Sequence, residues 1–111
     1  MNKVILLGNV GSDPRMRMAD GVKVAEFSLA TSDRPRRRRN EDGSYTEGPE
    51  VTEWHRLVLW GRNAEYAENY IRKGARLLVE GKIRTRTWQD HNTLKHTVTE
   101  IYVDTFELLP R

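Results

Sequence analysis

The sequence predicts an all-β fold, a barrel of about five strands with one α-helix between the third and the fourth. Three observations predict it. Segments rich in β-branched and aromatic residues alternate apolar with polar side chains and are bounded by glycine, proline and aspartate turns. Only residues 62–73 have good helical spacing. Residues 52–61, Thr-Glu-Trp-His-Arg-Leu-Val-Leu-Trp-Gly, read as a central strand that stops at a glycine. Side chains alternate across a strand, so Trp54, Arg56, Val58 and Trp60 share one face and His55, Leu57 and Leu59 the other. Leu57 and Leu59 are the core-facing pair. Arg56 argues against a dry core opposite them, so its two flanking tryptophans are either packing residues or a surface platform.

The other elements follow in order. Residues 2–8 form a first strand, apolar on both parities at Val4, Ile5, Leu6 and Leu7. A short strand buried on both faces reads that way, as does one that pairs with a second subunit. After a turn cluster at 8–14 and a short extended piece at 15–18, the second strand spans 22–31, with Ala25, Phe27 and Leu29 on one face. Residues 32–50 are expected to be a long polar loop, mobile over about 33–50. It carries Arg36, Arg37, Arg38 and Arg39, read either as a solvated tip or as a phosphate clamp, since arginine offers a fixed fork of donors. In the helix, Asn63 is the expected cap. Tyr66, Ala67, Tyr70 and Ile71 form the apolar stripe, Arg72 and Lys73 face the negative end of the dipole, and Gly74 is the stop. Strands at 75–88 and 94–103 and a short closing strand at 106–109 complete the order expected of an OB-fold barrel.

Composition narrows the function. A chain of 111 residues is a single domain with a modest core, a size at which association between chains helps. The net charge of +3 is a small excess of 19 basic over 16 acidic side chains, which permits an anionic partner without establishing one. With no cysteine, thiolate catalysis, disulfides and Cys-based zinc sites are excluded. No apolar run approaches a membrane span and Val4–Leu7 is too short for a signal segment, so a soluble, intracellular protein is expected.

The strand at 75–88 is the second informative stretch. Lys82, Arg84, Arg86 and Trp88 fall on one parity, a ladder of cations ending in an indole. A charge-protected strand edge explains the cations but not the tryptophan. Trp54, Trp60 and Trp88 are the chain's three tryptophans, and each lies on a strand face that also carries arginine. Single-stranded nucleic acid requires that pairing, because unpaired bases stack and backbone phosphates need neutralising. The expectation holds only if both strands present these residues on one outer surface.

Four separated motifs closely resemble the bacterial single-stranded DNA-binding protein family. They are Asn2-Lys3-Val4-Ile5-Leu6-Leu7-Gly8-Asn9-Val10-Gly11 with Asp13-Pro14, Thr52-Glu53-Trp54-His55-Arg56, Tyr70-Ile71-Arg72-Lys73-Gly74, and Glu80-Gly81-Lys82-Ile83-Arg84-Thr85-Arg86 with Trp88. The resemblance spans nearly the whole chain and implies an OB-fold homotetramer. Such a protein binds single-stranded DNA in replication, recombination and repair, in the nucleoid of the cytoplasm, with no cofactor. It implies base stacking at Trp54, Trp60 and Trp88, although many members have phenylalanine at the position of Trp60. Arg56, Arg62, Lys73, Arg84 and Arg86 match positions along the family's DNA path. His55 matches an interface histidine, and Asn2, Lys3, Val4, Ile5, Leu6 and Leu7 match the strand that pairs between subunits. Two departures are evident. Members commonly carry a tryptophan just after the Ala-Thr-Ser segment, where this chain has Asp33, Arg34 and Pro35. They also usually end in an acidic tail that recruits partner enzymes, whereas this chain ends Leu108-Leu109-Pro110-Arg111. Recruitment of replication and repair enzymes is therefore expected only where the natural protein has such a tail.

Competing classes make different demands. A nuclease would need clustered carboxylates for metal and base, but Asp and Glu are scattered and His55, His91 and His96 lack ligand spacing. An OB-fold RNA-binding protein uses similar aromatics and cations, and 2′-hydroxyl contacts separate it from a DNA binder. A purely structural oligomerisation module would leave three strand-face tryptophans unexplained, and gains only if all three are buried in the monomer core.

Overall fold

A computed structural model describes residues 1–33 and 37–110. In chain order these form β1 (Val4–Val10), β2 (Arg15–Ala19), β3 (Val22–Asp33), β4 (Arg37–Arg39), β5 (Tyr45–Glu47), β6 (Val51–Trp60), α1 (Arg62–Tyr70), β7 (Arg76–Gln89) and β8 (Lys95–Leu109). The main sheet runs β1-β7-β8-β6-β3-β2, and β3 also pairs with β1 at Asn9↔Ala30 and Val10↔Leu29. That contact closes β1, β7, β8, β6 and β3 into a barrel, with β2 an added strand on β3. The pairings are antiparallel except β6 with β8, joined in parallel at Leu57↔Ile101 and Val58↔Tyr102. This is the OB-fold. Counting barrel strands alone, the helix lies between the third and fourth; in chain order it follows the sixth, because β2, β4 and β5 are additional.

Alternation places the core. Leu57, Leu59, Ala25, Phe27 and Leu29 point inward and are buried, as expected from sequence, and Leu77, Val79, Ile101 and Val103 join them. Burying each larger side chain contributes on the order of 1.5–3 kcal/mol. The helix plugs the barrel with Ala64 and Ala67, not with its tyrosines. Small residues let the helix axis approach the strands, while Tyr66 and Tyr70 stay exposed at the rim, packing on each other at 4.7 Å and, through Tyr66, on Phe106 of β8 at 5.4 Å. Lys23 Nζ to Glu68 Oε1, 2.7 Å, ties the helix to β3.

Three boundaries differ from the sequence reading. First, the helix ends at Tyr70, because Ile71 turns extended to place its side chain in the core. Arg72 still serves the helix end, donating from Nη1 to the carbonyls of Glu68 and Ile71. Asn63 does not cap the helix; Gly61 at φ 60° occupies that position, and the Asn63 amide donates to the Asp104 carbonyl at 3.2 Å. Second, the closing strand is continuous with β8. A bulge opposite Glu80 and Gly81 takes up Asp104, so pairing resumes at Glu80↔Thr105 without a turn. Third, the polar stretch after β3 contains a hairpin, pairing Arg37↔Glu47, Arg38↔Thr46 and Arg39↔Tyr45. Asp42 accepts from the Ser44 amide in its turn, and Gly43 supplies the positive φ of 86°.

At the bulge, a Cβ on Gly81 would collide with the carbonyl oxygen of Tyr102, a backbone atom that cannot swing aside. Gly81→Ala is expected to lower stability by about 1–3 kcal/mol. Urea denaturation of the variant beside the wild type measures it; an unchanged midpoint would contradict the close approach.

Candidate nucleic-acid interface

Strand register decides which side chains meet. Leu57 and Leu59 face inward on β6, so Trp54, Arg56, Val58 and Trp60 face outward. Across β3 they meet Ala30, Ser28, Glu26 and Val24 in turn. On the other side Tyr102 of β8 lies beside Val58, and the ladder continues with Lys82↔Tyr102, Arg84↔Glu100, Arg86↔Val98 and Trp88↔His96. β6 and β7 thus flank β8, and all three tryptophans share the barrel's outer surface with Arg56, Arg84 and Arg86. None points into the interior.

The indoles are held differently. Trp54 is 63% exposed and lies against Gly11, where a Cβ would strike its ring. Trp60 is half-buried, edge-to-face with Tyr102 at 4.5 Å and 70°. Trp88 is 45% exposed; it stacks on His96 at 5.3 Å, and the Arg86 guanidinium lies over its ring at 5.3 Å. His96 in turn lies 2.7 Å from Asp90, and that hydrogen bond holds the Asp90 carboxyl below its ordinary value.

Charge on this face alternates. Arg17 Nε donates to Glu26 Oε1 at 2.7 Å, and Arg56 Nη2 donates to Glu26 Oε2 at 2.6 Å. Arg56 Nε donates to Glu100 Oε2 at 2.9 Å, and Arg86 Nε to Glu100 Oε1 at 2.7 Å. The row Arg17–Glu26–Arg56–Glu100–Arg86 therefore crosses β2, β3, β6, β8 and β7. Burial pushes the Glu26 carboxyl up, but Arg17 and Arg56 outweigh it and hold the group below its ordinary value of 4.5. Glu26, Glu100, Tyr102 and His96 were not among the residues singled out from sequence. Alternation alone places His96, Val98, Glu100 and Tyr102 on one parity, but only the parallel pairing shows that this parity faces Trp60 and Arg56.

Two depressions flank the row. One, about 540 Å³, is lined by Ser12, Asp13, Arg15, Glu26, Phe27, Ser28, Trp54, His55 and Arg56. The other, about 350 Å³, lies between Trp60, Lys82, Tyr102, Val103 and Asp104. Lys73 lies at the rim of the first, its amide donating to Asp13 Oδ1 at 2.8 Å. Arg62 does not join this face; it lines a depression beside the helix with Asn63, Tyr66 and Phe106. On the β4–β5 hairpin Arg37, Arg38 and Arg39 are exposed, and Arg37 stacks over Tyr45 at 5.1 Å. Arg36 lies outside the described residues.

The residues matched to an oligomer interface lie elsewhere. Asn2 exchanges two hydrogen bonds with the Ile83 backbone, and Lys3 pairs with Glu80 at 2.8 Å. Val4 and Leu6 pack toward the core. Ile5 and Leu7 face outward, 63% and 45% exposed, so only one of the two apolar parities of β1 is covered within the chain. His55 is half-buried and hydrogen-bonds Thr31 at 2.8 Å. Among the described residues no group of side chains could hold a metal ion, and no helix is long and apolar enough to cross a membrane.

The family model described as the single-strand binding protein family matches residues 1–109. A single-stranded DNA-binding protein of Bacteroides thetaiotaomicron is 48% identical over 110 residues, covering 98% of this chain and 66% of the relative, so this chain spans just under two thirds of that protein's length. A solved structure described as a Plasmodium falciparum SSB complex with ssDNA superposes with a TM-score of 0.80 at 32% identity, covering 99% of this chain and 96% of that one.

The Glu26 geometry sets an acid limit on stability. The folded state binds this proton more weakly than the unfolded chain does. The stabilisation is therefore complete above about pH 4.5 and is lost as pH falls through the lower folded value. Urea midpoints between about pH 7 and pH 3 are expected to fall in that window. Glu26→Gln should lose less over the same range; equal losses in both proteins would remove Glu26 from the acid response.

Proposed function

The chain belongs to the single-strand binding protein family, and on that premise we propose that it binds single-stranded DNA without catalysis and with little sequence preference. The observation that carries this reading is the gathering of all three tryptophans onto one arginine-bearing outer face. Bases stack on Trp54, Trp60 and Trp88, each platform worth about 1–3 kcal/mol, and tolerance of sequence follows because every base has a π-face. Arg56, Arg84 and Arg86 meet the phosphates along the face. Lys73 and the arginines of the β4–β5 hairpin extend the path at its margins, and Arg62 would join only a strand that wraps past the helix. Neutralised phosphates release counterions, so binding weakens with salt at a log–log slope of about −0.7 per phosphate.

Ile5 and Leu7 support a second part of the proposal, self-association into a homotetramer through the outward face of β1, with His55 near a subunit contact. Among the described residues β1 pairs with β7 from Val4 to Asn9 but with β3 only at Asn9 and Val10. Its exposed apolar residues thus lie on a strand whose other edge is open over most of its length, which suits it to contact between copies. A role in replication, recombination and repair in the cytoplasm is consistent with this activity.

Titration with an oligothymidine at several salt concentrations, read by tryptophan fluorescence, tests the binding. Strong quenching with a salt-dependent midpoint is expected. Trp54→Ala and Trp88→Ala should each weaken binding by about 1–3 kcal/mol with far-UV circular dichroism unchanged. Trp60→Ala should also cost stability, because it removes the partner of Tyr102. Absence of quenching in folded protein at low salt would overturn the stacking mechanism.

Sedimentation tests the assembly. Ile5→Glu is expected to shift the protein to smaller species at a given concentration while the barrel stays folded. His55 substitutions should show defects that deepen on dilution. An unchanged mass in Ile5→Glu would move the interface away from β1.

A further inference from the structure

We propose that Glu100 is a positioning residue for single-stranded DNA binding, its buried carboxylate presetting the orientations of Arg56 and Arg86. The inference rests on the DNA-binding reading above and assigns a role to a residue of the opposite charge.

Glu100 is 1% exposed, the single buried charged side chain among the described residues, yet it lies beneath the face proposed to meet phosphates. Its two oxygens are divided between two arginines, Oε2 to Arg56 Nε at 2.9 Å and Oε1 to Arg86 Nε at 2.7 Å. Both arginine side chains remain about half exposed. The carboxylate therefore grips each arginine by its Nε edge from below. Arg86 makes no ion pair through its Nη groups among the described residues, and those are the groups suited to forked recognition of a phosphate.

The arrangement is selective. Arg84 stands directly opposite Glu100 in the β7–β8 ladder, but the carboxylate bonds Arg86, two residues along. That diagonal contact keeps the Arg86 guanidinium 5.3 Å from the Trp88 ring centre. On the other side Arg56 is held by Glu100 and by Glu26 together, midway between Trp54 and Trp60 on β6. An arginine side chain free to rotate would lose that freedom on meeting a phosphate; one already fixed by a buried partner does not. A negative charge under a DNA-binding face weakens long-range attraction, so its benefit must lie in orientation.

Glu100→Gln separates orientation from charge. Glutamine keeps the shape but has one acceptor oxygen, so it cannot hold both guanidinium groups, while the face gains a net positive charge. If Glu100 positions the arginines, oligothymidine affinity falls about tenfold, the equivalent of one charge-assisted hydrogen bond. If the carboxylate acts only through its charge, binding tightens and the inference is overturned; equal affinity overturns it as well. In an Arg86→Ala background, Glu100→Gln should have a much smaller further effect, a non-additivity that general loosening of the fold would not produce. If Glu100→Gln does not fold, Arg86→Lys carries the test. It keeps the charge at a half-exposed site but not the planar fork, so about tenfold weaker binding supports the inference and wild-type binding overturns it. Wild-type titration in parallel distinguishes the two levels. Failure of the wild type to bind removes the DNA-binding reading itself, whereas normal wild-type binding with an unaffected Glu100→Gln removes the positioning role alone.

Discussion

The architecture depends on two steps of parallel pairing between β6 and β8, at Leu57↔Ile101 and Val58↔Tyr102. The first pair faces inward and joins the core; the second faces outward beneath Trp60. Parallel pairing is slightly weaker per residue than the antiparallel ladders around it, and two steps are few. The junction is held by what lies on either side, buried leucine and isoleucine within and the Glu100 ion pairs without. It also sets the outer face, because it brings β8 between β6 and β7. Without it, the tryptophans of residues 54–60 and the cations of residues 82–88 would belong to unrelated surfaces.

The outer face is built by alternating charge, not by accumulating one sign. Glu26 and Glu100 separate Arg17, Arg56 and Arg86, so the row carries little net charge at close range. Carboxylates drawn out of water are costly to desolvate, fully at Glu100 and partly at Glu26, and each has both oxygens occupied, which is the condition under which such a group is tolerated. Arginines paired this way cannot rearrange freely, whereas Arg37, Arg38 and Arg39 on the exposed hairpin are restrained chiefly by the contact of Arg37 with Tyr45. The chain thus presents two kinds of cation, one fixed into the barrel and one displayed on an arm beside it.

Much of this was legible in the sequence where a local pattern determines the outcome. Alternation in residues 52–61 placed Leu57 and Leu59 inside and Trp54, Arg56 and Trp60 outside, because the strand period is strict. The helix was legible but its end was not, since Ile71 leaves the helical path to reach the core and only the barrel makes that position attractive. Helical spacing favoured Tyr66 and Tyr70 as packing residues, and Tyr66 does pack on Phe106 and Tyr70, but at the rim; the closest approach of helix to barrel is made by Ala64 and Ala67. Glu100 was illegible for a different reason. Its partners are 44 and 14 residues away, and nothing in its neighbours Thr99 and Ile101 distinguishes it from any other strand glutamate. The hairpin was hidden because its residues are polar and its pairing is short.

A platform for stacking must be exposed and still hold its orientation, two demands that normally conflict because burial is what fixes a side chain. Each indole here resolves the conflict with a neighbour on one side. Trp54 rests on the backbone at Gly11, where the missing Cβ lets the ring lie close. Trp60 leans on Tyr102 at the cost of partial burial. Trp88, farthest from the core, lies between His96 and the Arg86 guanidinium that Glu100 secures. Fixation is handed outward from the barrel interior to its distal hairpin, through backbone, then ring, then charge. It follows that Trp88 depends most on electrostatics and Trp60 most on packing, although the alternation pattern makes all three look alike.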